Sequence, residues 1–351
     1  MSGAFLLYGA TGYTGTLIAE ECARRRLPVV LGGRSEGPLR ALAEQLHLPF
    51  VTSRIDESSA LDAALLSEGV TCVLHCAGPF SRTSRPMVDA CLRTGRHYLD
   101  ITGEIGVFEA LAARDAEAKA KGVMLLPGVG FDVVPSDCMA AHVKQRLPEA
   151  VKLRLCIAAT GSLSHGTATT MVEHLEHGGA VRKGGKIVSE PAAARTRTFD
   201  LGDKGREAVS MPWGDIATAW HSTGIPDIEV YFSLPPSTRT GMRLMKYAAP
   251  LLRSRTVKRL VQSLIPQGGP DAEARARGKS IIVAEAEDAA GRVVSSRLHG
   301  PEGYALTAQA AILCALKVLE GKAPVGFQTP ASAYGADLIL AVPGTARVDV
   351  A

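Results

Sequence analysis

Three glycines near the start of the chain, Gly9, Gly12 and Gly15, give the strongest chemical signal in this sequence. The apolar residues 4–8 before them predict a buried strand, and residues 17–24 after them predict a helix. Between such elements the first glycine allows a tight turn, the second lets a phosphate approach the main chain, and the third lets the helix pack closely on the strand. The helix N-terminus adds N–H donors and the positive end of its dipole. The GxxGxxG spacing therefore predicts a dinucleotide site. The loop residues expected to contact the cofactor are Gly9, Thr11, Gly12, Tyr13, Thr14 and Gly15.

The end of the second predicted strand, residues 28–33, indicates which dinucleotide binds. A site for NAD usually carries Asp or Glu there to accept a hydrogen bond from the ribose 2′-hydroxyl. Here Arg34 and Ser35 follow the strand, and the first carboxylate is Glu36. A guanidinium binds a 2′-phosphate with two hydrogen bonds, and a serine hydroxyl can donate another. The pattern favours NADP(H) over NAD, with a solvated loop arginine as the alternative.

The fourth predicted strand, residues 70–77, leads into a second cofactor-binding segment. In a doubly wound sheet this end faces the other half of the dinucleotide. Ala77 and Gly78 are small enough for a ribose or nicotinamide to approach their backbone, and Pro79 stiffens the loop before Phe80. We therefore predict cofactor contacts at these four residues.

Three side chains are candidate catalytic acids, and each has a structural alternative. Glu104 follows the fifth predicted strand, where a carboxylate either caps a helix or lines the active cleft. Asp132 lies in the glycine-containing segment 128–137, which could shape a loop over the nicotinamide or fill a hinge core. His165 precedes a predicted helix and could act as a general acid near neutral pH, although a lone histidine is more often a surface or capping residue. No tyrosine has a lysine four residues on, so the sequence does not support short-chain dehydrogenase chemistry.

The elements that must position these residues indicate an α/β protein. Residues 1–133 alternate apolar strands with helices, which predicts a Rossmann-type, doubly wound parallel sheet covered on both faces. Residues 134–302 contain strands with alternating polarity and a hairpin signal at 288–291, which predicts a second α+β domain on a mixed, largely antiparallel sheet. An apolar helix near 304–319 is expected to return to the first domain, so that residues 303–351 join it.

Composition excludes several classes of function. The chain has 351 residues and a net charge of +4, which is too small and dispersed to indicate nucleic-acid binding. Its seven cysteines show no metal-ligand spacing, so we expect no metal site, and with no signal peptide visible we expect reduced thiols in the cytoplasm. Cys72 and Cys76 lie in one apolar run and are interpreted as core residues.

Residues 239–264 form a basic amphipathic stretch interrupted at Pro250. Such a stretch can lie on a membrane surface, dock an acidic carrier protein, form a lid, or be an ordinary surface helix. The sequence leaves these readings open, and peripheral membrane contact is therefore one hypothesis for this segment.

Taken together, these motifs resemble those of the saccharopine dehydrogenase-like oxidoreductases, and in particular the branch with the trans-acting enoyl reductases of polyketide lipid assembly and the lipid-body-associated proteins. The resemblance implies a Rossmann domain, a second α/β domain and NADP(H), but not saccharopine as the substrate. The segments that carry it are residues 9–15, 31–34, 76–80, 97–104, 128–137, 166–168, 300–304 and 326–330.

The expected function is hydride transfer from NADPH to an activated C=C bond of a small-molecule or carrier-bound acyl substrate, or to a C=N or C=O bond. Two alternatives stay open: a non-catalytic NADP-binding sensor and a membrane-surface, lipid-associated protein. A homodimer is a further hypothesis about the assembly.

Overall fold

The computed structural model describes residues 3–160, 169, 178–202, 205–236, 239 and 268–350. Contacts divide the chain into two units. The first contains Met1–Val134 and Tyr304–Tyr334, and the second contains Pro135–Gly303 and Gly335–Ala351.

Both units contain β-strands. In chain order they are β1 Ala4–Tyr8, β2 Val29–Gly33, β3 Phe50–Thr52, β4 Val70–His75, β5 His97–Asp100, β6 Met124–Leu126, β7 Lys152–Ala159, β8 Gly179–Lys183, β9 Lys186–Glu190, β10 Thr196–Asp200, β11 Gly205–Ser210, β12 Asp227–Phe232, β13 Lys279–Glu287, β14 Val293–Pro301, β15 Gly326–Phe327 and β16 Ala346–Asp349.

Helices connect these strands, and one 3₁₀ turn, Leu338–Ala341, lies near the end of the chain. The helices are α1 Tyr13–Arg24, α2 Glu36–Leu46, α3 Ser58–Leu65, α4 Phe80–Thr94, α5 Ile105–Ala112, α6 Asp115–Ala120, α7 Val134–Arg146, α8 Asp215–Thr223, α9 Ala272–Arg277, α10 Gly303–Leu319 and α11 Pro330–Tyr334.

The first unit contains a parallel sheet in the order β15-β6-β5-β4-β1-β2-β3. Strand β1 lies inside the sheet between β4 and β2, and its residues Phe5, Leu6 and Leu7 are fully buried, as expected for a sheet with helices on both faces. Strand order reverses beside β1, where β4 lies on one side and β2 on the other. This is the point at which doubly wound sheets bind dinucleotides, and the predicted Rossmann-type sheet is confirmed.

The second unit contains a mixed sheet in the order β10-β11-β12-β7-β13-β14-β16, with the β8–β9 hairpin joined to β12. Strands β7 and β12 are parallel, and the other pairs along this sheet are antiparallel. The predicted mixed, largely antiparallel sheet is therefore confirmed.

The C-terminal segment differs from the prediction that placed residues 303–351 with the first domain. Residues 304–334 do group with the first unit, and β15 adds a parallel strand beside β6. Residues 335–351 group with the second unit because β16 pairs with β14 there.

Candidate functional site

The glycine loop after β1 has the close approaches that its sequence predicts. Gly9 has a φ of +87°, and a Cβ atom at this position would lie 2.8 Å from the nitrogen of Ala77. A Cβ at Gly15 would lie 2.2 Å from the carbonyl oxygen of Gly9, so α1 packs on the turn at a distance that only glycine permits. Gly12 is exposed and immediately precedes α1. This cradle, which any side chain would fill, fits a cofactor whose phosphates approach the main chain.

The N-terminus of α1 directs main-chain donors toward this loop. The helix begins at Tyr13, and no side-chain hydrogen bond from the described residues caps it at Gly12. Thr11 is exposed, and Tyr13 and Thr14 are half-buried. The Tyr13 ring packs edge-on against Tyr304 of α10, with 5.0 Å between ring centroids. An N-terminus that side chains leave uncapped suits a pyrophosphate, because the helix dipole and N–H groups both favour an anion.

Arg34 and Ser35 lie at the carboxyl end of β2, next to the glycine loop. The N–H groups of Gly9 and of the residue after it donate to the carbonyl oxygen of Gly32, at 2.9 and 3.2 Å. Both Arg34 and Ser35 are exposed, and Glu36 pairs with Arg40, one helical turn along α2. Within the described ranges, no carboxylate forms an ion pair with Arg34. The Arg34 guanidinium can therefore bind a 2′-phosphate without first breaking an ion pair with a carboxylate of the described residues.

The loop after β4 is held in place by His75 and Thr83. Thr83 donates its hydroxyl hydrogen to the carbonyl oxygens of Ala77, at 2.7 Å, and Pro79, at 3.1 Å. Its oxygen lies 3.1 Å from Nε2 of His75, so this nitrogen carries the proton and donates. Burial lowers the pKa of His75 to about 3, which keeps the ring neutral. Gly78 is exposed and the residues flanking it are half-buried, so the loop backbone can be approached by a ligand.

Phe80 and Glu104 join this loop to α4. The Phe80 ring packs against His75 with 5.3 Å between centroids, so the side chain is a support for the loop. One carboxylate oxygen of Glu104 accepts a hydrogen bond from the N–H of Phe80 at 2.7 Å, and the other accepts from the N–H of Ser81 at 3.0 Å. Glu104 is thus a capping carboxylate for the N-terminus of α4. A direct role in catalysis stays a prediction, and the geometry favours a positioning role.

The buried carboxyl group of Asp100 connects the ends of β5 and β6. It accepts hydrogen bonds from the N–H groups of Thr102 and Gly128, both at 2.9 Å, and from the hydroxyl of Tyr98 at 2.6 Å. Burial raises the pKa of Asp100 to about 6, although these hydrogen bonds oppose the rise. These hydrogen bonds fix the start of the segment 128–137 relative to β5, and they engage both carboxylate oxygens of Asp100.

Asp132 is the second of the candidate acids that the structure describes. It lies past the carboxyl end of β6 and is half-buried, and burial raises the pKa of its carboxyl group to about 7. A Cβ at Gly103 would lie 3.1 Å from Oδ2 of Asp132, a tighter contact than most side chains make, so Gly103 packs closely against the Asp132 side chain. The N–H of the preceding residue, Phe131, donates to the hydroxyl of Thr307 at 2.9 Å, which ties this loop to α10. The structure therefore brings Asp132 and the cofactor loops to the same edge of the parallel sheet.

Some predicted features lie outside the described residues. These include His165 and almost all of the basic stretch 239–264, so their predicted roles stay predictions. Across the described portion of the chain, no helix is long and apolar enough to span a membrane. Nor do the described residues hold a group of three or more metal-binding side chains. All seven cysteines are free thiols, and burial raises the pKa of Cys72 to about 12, consistent with its predicted place in the core.

Sequence reasoning missed the supporting role of His75 and Thr83. His75 is the ionisable residue in an otherwise apolar strand, and this exception could have marked it as a packed, neutral histidine at the site. The role of Thr83 depends on two carbonyl groups several residues earlier, for which the sequence carries no pattern.

Comparison with known proteins agrees with this geometry. Residues 5–126 match the family model described as the saccharopine dehydrogenase NADP-binding domain. Over these residues the chain is similar to that NADP-binding domain. The matched range contains the glycine loop, Arg34, the loop after β4 and Glu104. The resemblance to saccharopine dehydrogenase-like proteins and NADP(H) as the predicted cofactor are confirmed for this part of the chain.

Curated relatives of the saccharopine dehydrogenase-like type match a similar share of the chain. A trans-acting enoyl reductase from Mycobacterium leprae is 33% identical over 159 residues, which cover 43% of this chain and 38% of that protein. A saccharopine dehydrogenase-like oxidoreductase from Mus musculus is 30% identical over 160 residues, covering 40% of this chain and 37% of that protein. The match thus spans less than two-fifths of the length of these relatives.

A solved structure extends the similarity in fold beyond the NADP-binding domain. Apo saccharopine dehydrogenase (L-Glu forming) from Saccharomyces cerevisiae aligns with a TM-score of 0.67 and covers 99% of this chain and 100% of that one. The sequence identity is 12%, so this likeness concerns the fold and not the substrate.

Proposed function

We propose that this protein is an NADPH-dependent reductase that saturates an activated double bond. The substrate class is a small-molecule or carrier-bound acyl compound with a C=C bond conjugated to a thioester, or a compound with a C=N or C=O bond. The NADP-binding domain supports the cofactor, and the names of the relatives, enoyl reductase and oxidoreductase, support a redox reaction. NADPH, when bound, supplies a hydride to one atom of the double bond.

The observation that carries the proposal is the carboxyl group of Asp132. Reduction needs a proton on the second atom of the double bond, and the proton must come from a group that holds it near neutral pH. Burial raises the pKa of Asp132 to about 7, so a large fraction of its carboxyl groups is protonated at that pH. The carboxyl group follows β6, at the same edge of the parallel sheet as the cofactor loops that follow β1 and β4. We assign Asp132 as the proton donor.

The other residues at this edge orient the cofactor and the loop. The glycine loop and Arg34 bind the adenosine and phosphate portions, while the backbone of Ala77 and Gly78 forms a surface for the second half of the cofactor. Glu104 fixes the start of α4, and neutral His75 supports the loop through Thr83 without adding a charge. These residues contribute by holding reacting atoms in position, which is a large part of the barrier reduction in hydride transfer.

The test is NADPH oxidation by the purified chain with a panel of crotonyl-type thioesters, imines and carbonyl compounds. With an accepted substrate, Asp132→Asn is expected to lower kcat by about a hundredfold or more, because the amide cannot supply the proton. The native rate should fall as the pH rises through about 7, since only the protonated carboxyl donates, and the variant should lose this pH dependence. The control is Asp271→Asn, which changes an exposed N-cap of α9.

Each alternative gives a different result. A non-catalytic sensor would bind NADPH without oxidising it in the presence of any compound of the panel. A membrane-surface protein would float with anionic vesicles, and the substitutions Leu252→Glu and Leu260→Glu would abolish flotation. An accepted substrate whose reduction is unchanged by Asp132→Asn would contradict the assignment of the proton donor.

A further inference from the structure

A second arginine, Arg54, leaves the parallel sheet beside Arg34. In the register of β2 and β3, Gly33 pairs with Thr52, and the N–H of Ser53 donates to the carbonyl oxygen of Gly33 at 3.0 Å. Arg34 is one residue beyond the paired position on β2, and Arg54 is two residues beyond it on β3. Both arginines therefore start from the same edge of the sheet, on adjacent strands about 4.8 Å apart.

The hydroxyl of Tyr8 lies between these two strand ends. It donates to the carbonyl oxygen of Ser53 at 3.0 Å, and Tyr8 is almost fully buried at the end of β1. Burial raises the pKa of this phenol, while the charges of Arg34 and Arg54 both oppose the rise. The register of β2 and β3 and this hydrogen bond thus place the start of both arginine side chains at the edge of the sheet where β1 ends.

Arg54 is held by exposed carboxylates that a phosphate can replace. Its Nη2 lies 2.9 Å from Oδ2 of Asp56, and its Nε lies 3.0 Å from Oε1 of Glu57. All three side chains are more than half exposed. Exposed ion pairs of this kind contribute little to stability, so exchanging them for a phosphate with up to two negative charges is favourable.

We propose that Arg54 is a second specificity-determining residue, which binds the 2′-phosphate of NADP(H) together with Arg34. In the free protein Asp56 and Glu57 hold the guanidinium near the site, and the phosphate takes their place on binding. The phosphate then has two arginines as partners, whereas the 2′-hydroxyl of NADH has no charge for Arg54 to bind. This inference rests on the proposed use of NADP(H), and it adds a second residue that favours NADP(H) over NAD(H).

The experiment measures Kd for NADPH and for NADH by calorimetry, using the full chain. In Arg54→Ala, Kd for NADPH is expected to rise about three- to tenfold, with Kd for NADH changed less than about twofold. Glu57→Gln removes a competing negative charge and is expected to tighten NADPH by about twofold, again with little effect on NADH. Arg93→Ala is the matched control. Arg93 also forms an exposed ion pair, with Asp62 at 2.8 Å, and it is distant from Arg34 and Arg54 in the sequence.

The results separate this inference from the proposed function. An Arg54→Ala variant with the native ratio of the two Kd values would overturn the role of Arg54, as would an equal loss of affinity for both nucleotides. Native protein that binds neither nucleotide would contradict the use of NADP(H) itself. Thermal melting of each variant shows whether it is folded, and Arg54→Lys, which keeps the charge, is expected to recover part of the affinity for NADPH.

Discussion

Arg34, at the end of β2, is the residue that we propose distinguishes NADP(H) from NAD(H). It is exposed, follows the strand that contacts the glycine loop, and has no ion-pair partner in the part of the chain that the structure describes. This feature was predictable, because a short sequence signal at the end of a strand determines it. The hydrogen bonds between Glu104 and the start of α4 could not be predicted in this way, because the two segments are separated by more than twenty residues.

Replacing Arg34 by alanine should weaken NADPH more than NADH. One or two charge-assisted hydrogen bonds of about 1.5 kcal/mol each would be lost, which corresponds to roughly a ten- to hundredfold increase in Kd for NADPH. Fluorescence titration of both nucleotides measures the difference. Arg40→Ala, which removes an exposed arginine of α2 that pairs with Glu36, serves as the control. Equal weakening of both nucleotides would show that Arg34 does not contact the 2′-phosphate.

Among the elements, α4 shows most clearly where sequence patterns are insufficient. Because proline is favoured in the first turn of a helix, the sequence predicts that this helix begins near Pro86. The helix instead begins at Phe80 and contains Pro86 in its interior, since the distant carboxylate of Glu104 satisfies the N–H groups of Phe80 and Ser81. The sequence also predicts one helix over residues 105–121, which the structure divides into α5 and α6. It predicts a helix over residues 36–46, and α2 has these bounds because its apolar pattern is local.

Glu104→Gln should loosen the start of α4 while conserving the size of the side chain. Loss of the negative charge at the helix N-terminus, and of one acceptor oxygen, is expected to lower the free energy of unfolding by about 1–2 kcal/mol. Urea denaturation measures this change. Glu117→Gln in α6, where the carboxylate is exposed and pairs with Arg114, is expected to change it by less than about 0.5 kcal/mol. Similar values for the two variants would contradict the capping role.

The junction of β1 and α1 requires glycine at position 15. A Cβ there would lie 2.2 Å from a main-chain oxygen, which cannot move aside as a flexible side chain could. Gly15→Ala is expected to destabilise the protein by about 1–3 kcal/mol and to abolish detectable NADPH binding. Gly106→Ala is the matched control, because a Cβ at this position in α5 meets no atom within 4 Å. A Gly15→Ala protein with native stability and affinity would show that the close packing is unnecessary.

At the scale of the whole molecule, the strands of the first unit are easier to predict from the sequence than those of the second. The strands of the parallel sheet are continuous apolar runs, and their alternation with helices leads to the strand order around β1. In the second unit, β8, β10 and β11 were not predicted. Much of β10 and β11 is exposed and polar, and their place in the sheet depends on antiparallel partners distant in the sequence. The pairing of β16 with β14, which brings residues 335–351 to this sheet, likewise depends on a partner distant in the sequence.

The most direct test of the central claim is a calorimetric titration of the native, folded chain with NADPH and with NADH under the same conditions. The glycine cradle, the N-terminus of α1 and the exposed guanidinium of Arg34 predict that both nucleotides bind and that NADPH binds at least about tenfold more tightly. Absence of binding for both nucleotides, or tighter binding of NADH than of NADPH, would contradict it.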